Sequence, residues 1–291
     1  MMNTAILRIT GKTIKIILLA AFFTFIIVPF VMIIFTALKT DPEINDMPNR
    51  NMLHRIIPDS FTNFVNLKNV MRGKTVTQNG FPLYRAILNS FIVVVITMLP
   101  SLILALTAAY SFAKYKFPGK EIIYYLFLGM LMIPTEMISI PLFLVVSRLR
   151  LVNTYPGLMI PSFLSAFGTF LLRAAIEPIP QSYIEAGRID GAGEFWIFRK
   201  IIAPMVQMQI VTFVVIKSVW TWNDFFWPLL VVSNEQMRTV TLTLNRFVTD
   251  LIRYWAEVCA AVAISIIPLL IIFIIFNSNI KTGLMNTGIK G

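Results

Sequence analysis

The chain has 291 residues, 57% hydrophobic and 13% charged, with a formal net charge of +11 at pH 7 and a mean hydropathy of +0.77. Soluble domains carry about 25% charged residues, so this composition excludes an ordinary soluble globule and describes a multi-pass membrane protein. The basic excess is no nucleic-acid footprint: its Lys and Arg are scattered through short connections between apolar runs, where they meet lipid head groups and set topology.

Residues 1–13 are a short basic lead containing Arg8 and Lys12. Residues 14–38 are an apolar run long enough to cross roughly 30 Å of hydrocarbon. The run exceeds the roughly 7–15 residues of a signal-peptide core and lacks a small-x-small cleavage site, so it reads as a retained anchor. Residues 39–84 are polar, with Pro42, Pro48, Pro58 and Gly73, and form the largest external loop. Apolar runs at 85–113, 122–147, 155–176, 205–232 and 254–276 complete six transmembrane helices. The expected fold is an all-α membrane protein, with residues 1–291 as a single transmembrane domain. Pro100, Pro134, Pro141 and Pro268 lie inside these spans and predict kinks. There is no internal repeat and no low-complexity tract.

One polar stretch, residues 181–204, stands between spans 4 and 5 and carries Glu185, Arg188, Asp190, Glu194, Arg199 and Lys200. Each ionised side chain costs about 2.5–3.5 kcal/mol at the centre of a bilayer, so the stretch lies outside it. Ser182-Tyr183-Ile184-Glu185 reads as a capping box, with the Ser182 hydroxyl on the Glu185 amide, and predicts a short helix from Tyr183. Gly191 and Gly193 end that helix. A second short amphipathic helix follows, with Phe195, Trp196, Phe198, Ile201 and Ile202. Two helices joined by glycines on a wet face read as a docking element.

The spacing of that stretch is specific. Glu185-Ala186-Gly187, then Gly191, then Ile201 and Pro204 resembles the EAA loop of binding-protein-dependent ABC importer permeases. Gly187 stands where that family usually has alanine, at up to about 1 kcal/mol of helix propensity, and Ala203 stands where leucine is usual. Further likeness lies in Asn89-Ser90-Phe91 at the start of span 2, in residues 108–120 (AAYSFAKYKFPGK), in 221–230 (TWNDFFWPLL) and in the tail 281–291, which departs from the usual pattern at Met285 and Asn286. These resemble the maltose-type carbohydrate permeases.

The resemblance implies a type I ABC importer permease fold in a bacterial inner membrane. The EAA loop becomes a cytoplasmic coupling helix, seated on an ATPase through Tyr183, Ile184, Glu185, Ala186, Gly187, Arg188, Asp190 and Gly191. Glu185 then serves both as cap and as contact. Both termini are cytoplasmic; Lys and Arg counts on the two sides tie, but the shorter connections favour the same orientation. The implied partners are a second permease subunit forming a heterodimer, two ATPase subunits and an extracytoplasmic solute-binding protein. ATP and Mg2+ belong to the ATPase subunits, so no cofactor and no enzymatic step are expected in this chain. Transport proceeds by alternating access: ATP closes the ATPases, the coupling helices draw together, the path opens outward, and hydrolysis resets it. External segments, including residues 235–253, meet the binding protein.

Candidate path residues come from charge in the wrong solvent. Glu136, Lys217 and Asp224 fall inside expected spans, where ionisable groups face a partner or a watery cavity. Lys217, Trp220, Thr221, Asp224 and Trp227 recur at helical spacing, with Asn223 beside them, and would share one face. Carboxylates and amides hydrogen-bond sugar hydroxyls, and aromatic faces cover their C–H surfaces. The same residues are open to other readings: Lys217 and Asp224 as structural ion pairs, with Glu136 or with a second subunit, or Glu136 and Asp224 as a proton relay. Trp222 and Trp227 are equally suited to anchoring span ends at the interface.

One cysteine, Cys259, and one histidine, His54, support neither a disulfide framework nor a thiolate or His-cluster metal site. Gly11-Lys12-Thr13 and Gly73-Lys74-Thr75 look like the end of a phosphate-binding loop, but Ile6 and Lys68 stand where its earlier glycine belongs. The expected function is ATP-driven import of a sugar or oligosaccharide. The alternatives are a polyol, glycerophosphate or polyuronate cargo on the same machinery, or a proton-coupled secondary transporter, which usually shows internal repeats.

Overall fold

In a computed structural model, residues 2–49, 51–74, 81–250 and 254–287 are described. Among them there are helices and turns but no strand. The helices are α1 (Met2–Leu38), α2 (Asp41–Asn45), α3 (Met52–Ile56), α4 (Val65–Arg72), α5 (Leu83–Lys114), α6 (Lys120–Gly129), α7 (Thr135–Arg148) and α8 (Tyr155–Met159). They continue as α9 (Ala166–Ile176), α10 (Ser182–Ile189), α11 (Glu194–Ile197), α12 (Ala203–Met205), α13 (Gln207–Asn223), α14 (Phe226–Val231), α15 (Val240–Asp250) and α16 (Trp255–Thr287). Four stretches are long and apolar enough to cross a membrane: Ile14–Leu38, Leu83–Lys114, Tyr155–Ile176 and Trp255–Phe276. Two bent helix pairs raise the number to six if each is one span.

The bends correct two expectations of continuous spans. Expected span 3, 122–147, is broken between Lys120–Met132 and Thr135–Arg148, whose axes differ by 104°. Pro134 is the cause. It lacks an N–H and forces Ile133 out of the helical region, to φ −89 and ψ 121. Pro100, Pro141 and Pro268, by contrast, lie within continuous α5, α7 and α16.

Expected span 5, 205–232, is broken at both ends. Glu194–Met205 and Gln207–Asn223 meet at 80°, and the helix stops again at Asp224 (φ −64, ψ 122). Pro228 explains the second stop, because a helix through it would leave the Asp224 carbonyl without its i+4 donor. Thr241 Oγ1 donates to that carbonyl instead, at 2.6 Å. The Asp224 carboxylate turns forward to accept from the Trp227 amide at 3.3 Å, capping α14.

The chain forms two compact units. One contains the residues up to Tyr84 together with Leu244–Ile267; the other contains Arg85–Thr243 with the residues from Pro268 onward. In the first unit, the polar stretch after α1 is tied back onto the end of that helix. The Asn66 amide donates to the Ala37 and Lys39 carbonyls at 2.9 and 2.7 Å, and Asn63 donates to Leu38 O at 2.9 Å. These satisfy carbonyls that a helix C-terminus leaves without intrahelical partners. Lys39 is only 1% exposed and donates to Arg55 O at 2.5 Å. A true capping box opens α2: Thr40 Oγ1 accepts from the Glu43 amide at 3.4 Å while Glu43 Oε2 accepts from the Thr40 amide. Gly73, whose likeness to a phosphate-loop glycine fails on Lys68, closes α4 at φ 70; Thr75 and the last four residues of the tail lie outside the described residues.

The second unit has two apolar cores. One gathers Leu172, Ile176, Ile184, Ile197, Ile202 and Phe213 with the end of α5. Gly168 makes this core close, since a side chain there would run into the Phe213 ring. The other gathers Val93, Val146, Leu158, Trp227 and Val231.

Candidate functional site

The polar stretch 181–204 folds as two short helices crossing on an apolar seam. Its capping box does not form: α10 begins one residue early, at Ser182, and its N-cap Gln181 is already helical, at φ −61 and ψ −26. Ser182 is therefore inside the first turn, and the Gln181 carbonyl accepts from the Ile184 and Glu185 amides at 3.0 and 3.1 Å. The Glu185 side chain is exposed. The C-terminus forms as expected. Gly191 takes φ +79, the Ala192 amide donates to Gly187 O at 2.9 Å, and the Gly191 amide donates to Arg188 O at 3.0 Å, which together make a Schellman motif.

Burial divides α10 cleanly. Ile184 is fully buried against Ile197 and Ile202, and Gly187 lies on the same seam. A Cβ at Gly187 would stand 3.1 Å from Ile197 Cγ1 and 3.2 Å from Ile201 Cδ1, so the missing methyl lets α10 sit close to the following arm. The second helix is not regular: after α11 the chain widens into a π turn at Phe198–Ile202 before α12. That extra residue turns Ile197 and Ile202 both inward.

The outward face is apolar where charge would be ordinary. Ile189 is 86% exposed, Phe195 73%, Trp196 52% and Tyr183 50%. An open groove lined by Tyr183, Ala186, Gly187, Gly191, Trp196 and Ile201 runs beside them. Asp190 lines it as well, and both Asp190 and Arg188 are exposed. Glu194 was not singled out as a site residue, yet it organises the polar rim: Arg188 Nε donates to its Oε1 and the Tyr115 hydroxyl to its Oε2, each at 2.7 Å. Arg188 first, then Tyr115, holds the Glu194 carboxyl below the usual range. The bond to Glu194 in turn pushes the Tyr115 phenol up to about 12.

The suggested path residues are not one stripe. Lys217, Trp220 and Thr221 lie on α13, with Trp220 packed on Phe167 of α9 at 5.0 Å between ring centroids. Asn223 ends that helix, and Asp224 and Trp227 lie beyond the break. Trp227 is buried and donates through Nε1 to Gly157 O at 3.1 Å; Trp222 is buried too. Both indoles are packed inside the chain rather than on its surface. Glu136 stands exposed in the first turn of α7, beside the Pro134 bend. Among the described residues no ion pair joins Lys217 to Asp224 or to Glu136, and no group of three His, Cys, Asp or Glu side chains is arranged to hold a metal.

The family described as the binding-protein-dependent transport system inner membrane component matches residues 90–284. The chain belongs to it. This ABC importer permease is 31% identical over 203 residues, 70% of this chain and 73% of the relative, to the arabinooligosaccharides transport system permease protein AraQ of Halalkalibacterium halodurans. It is also 31% identical over 210 residues, 72% of this chain and 74% of the relative, to the sn-glycerol-3-phosphate transport system permease protein UgpE of Brucella abortus. Among solved structures, a bacterial ABC transporter involved in the import of the acidic polysaccharide alginate contains a chain similar to this permease. The likeness has a TM-score of 0.78 at 22% identity and covers 93% of this chain and 96% of that one, so the two share a fold.

Proposed function

We propose that this permease is one of two membrane-spanning subunits of a carbohydrate importer, and that α10 with the exposed residues of α11 is where a cytoplasmic ATPase subunit docks. The observation that carries the docking is the apolar face of Ile189, Phe195, Trp196 and Tyr183 standing open on an otherwise charged stretch. A contiguous exposed apolar face marks an interaction site. Here the buried half of α10 anchors it to the fold while the open half awaits a partner.

In this reading the bent α6–α7 pair is one span and the chain from Met205 through α13 and α14 is another, giving six, with Glu194–Pro204 left outside the bilayer. The 181–204 arm and both termini are cytoplasmic, and 39–84 is external. ATP and Mg2+ reside on two ATPase subunits, a second permease completes the path, and an external binding protein delivers the cargo. Glu136, Lys217, Trp220, Thr221, Asn223 and Asp224 line the path near the α7 and α13–α14 breaks. Broken helices at depth are tolerated where they border a cavity or protein, which supports that placement. The arabinooligosaccharide relative and the alginate-importer likeness favour a saccharide. The glycerophosphate relative, at equal identity, keeps an anionic cargo as the second reading, with Lys217 as its counter-charge.

Ile189→Glu tests the docking. The side chain is already in water, so the fold is kept, but the ATPase should no longer co-purify from mild detergent. Retention of the ATPase at wild-type level would remove α10 from the interface. Uptake into proteoliposomes holding the complete complex, with arabinotriose and sn-glycerol 3-phosphate in competition, then separates the two cargo readings.

A further inference from the structure

The link between α10 and α11 is Gly191-Ala192-Gly193, with open space around both glycines. On its buried side α10 is held by Ile184, which shares a core with Ile197, Ile202 and the end of α5. On its exposed side, where only the glycine turn joins it to α11, one side chain adds a second tie. Glu194 Oε1 accepts from Arg188 on α10 at 2.7 Å, and Oε2 accepts from Tyr115, in the turn after α5, at 2.7 Å. The Tyr115 ring stands edge-on to Tyr110 at 5.5 Å, and Tyr110 meets Phe198 at 5.4 Å. Since Phe198 follows Glu194 in the same helical run, the contacts close a ring through α5, α10 and the α11 arm.

We infer that Glu194 is a positioning residue that fixes the exposed side of the docking helix α10 against the turn after α5, so that α10 cannot rock on its buried seam. This rests on the docking reading above. Both members of the Arg188–Glu194 pair are 46% exposed, and exposed pairs contribute little to stability. Their effect is geometric: each carboxylate oxygen is committed to a different element, so neither bond can shift without pulling on the other. The depressed Glu194 carboxyl and the raised Tyr115 phenol are the electrostatic trace of that double use.

The test uses the complete complex in proteoliposomes, with spin labels at Gln181→Cys and Lys116→Cys in a Cys259→Ser background. Both labelled positions are exposed. The label distance is compared without nucleotide and after trapping with ATP and vanadate. With Glu194 present the distance should be the same in both states. In Glu194→Gln, and equally in Tyr115→Phe, trapping should shift it by about 1–2 Å, the scale of helix displacements in switching proteins, or broaden it. An unchanged distance in Glu194→Gln overturns the inference, and so does a shift there with none in Tyr115→Phe. If the ATPase is absent from the wild-type complex, the docking reading fails instead. Its presence at equal stoichiometry in all three proteins isolates the clamp.

Discussion

Helix α5 has a polar anchor near each end, and the two are built from different physics. Near its start, Asn89 is buried, donates to Gln236 O and Arg238 O at 2.8 and 2.9 Å, and accepts from the Tyr155 hydroxyl at 2.7 Å. The adjacent Ser90 Oγ accepts from the Val240 amide at 2.8 Å. Just past its other end, Tyr115 joins an exposed carboxylate and guanidinium. Buried amides and carbonyls have no water to turn to, so breaking one bond strands several groups. Exposed charges exchange partners with water at little cost. The buried anchor is thus a permanent fixture, whereas the exposed clamp sets geometry without locking the fold, which suits a surface that a partner must grip and move.

The sharpest way to break this contrast is Asn89→Leu. It deletes three neutral hydrogen bonds and leaves two carbonyls and a phenol short of partners, a loss of about 3 kcal/mol at roughly 1 kcal/mol each. Thermal unfolding in detergent should show a clearly lowered Tm. Glu194→Gln should stay within about 0.5 kcal/mol of wild type, as exposed substitutions do. Equal losses from the two variants would mean that the ends are not differently built. Gly191→Val falls between them. Nothing lies within 4 Å of that position, so the penalty is purely the left-handed backbone, about 1–2 kcal/mol. Gly191→Asn, which tolerates that region, should recover most of it.

The all-helical character, a bend at Pro134 and the glycine-closed end of α10 are legible because each is local chemistry. The apolar residues of the second helix are legible as well, but not which of them stay open: Ile202 is buried while Phe195, Trp196 and, on α10, Ile189 are exposed. The capping box was misread by one residue. Ser-x-x-Glu fits equally well when the helix has already started at the serine, whereas the same signature at Thr40–Glu43 does form the box. The Asp224 break is readable too, from Pro228 and its missing donor four residues on, although helical spacing alone would continue the α13 face through Asp224. The Glu194 clamp was not legible. Its Tyr115 arm joins residues 79 apart, and no periodicity encodes which exposed tyrosine a carboxylate will meet.

The smallest expected effect is also the most specific to the clamp. Glu194 has its carboxyl depressed below the ordinary 4.5, so its contribution is complete above that value and fades only as pH falls through the lower one. Tyr115 is raised from 10.0 to about 12, so its donor is fully present below 10 and is lost as pH rises through about 12. The clamp therefore holds from mildly acid to strongly basic solution, and no physiological pH change opens it. A phenolate absorbance titration of wild type minus Tyr115→Phe should place this one tyrosine near 12, and Glu194→Gln should bring it back toward 10, because the acceptor charge that favours the protonated phenol is gone. Ionisation near 10 already in the wild type would mean that Glu194 serves Arg188 alone. The end of α5 would then be tied to the docking helix only through the buried core around Ile184, and the contrast with Asn89 would lose its polar arm at this end.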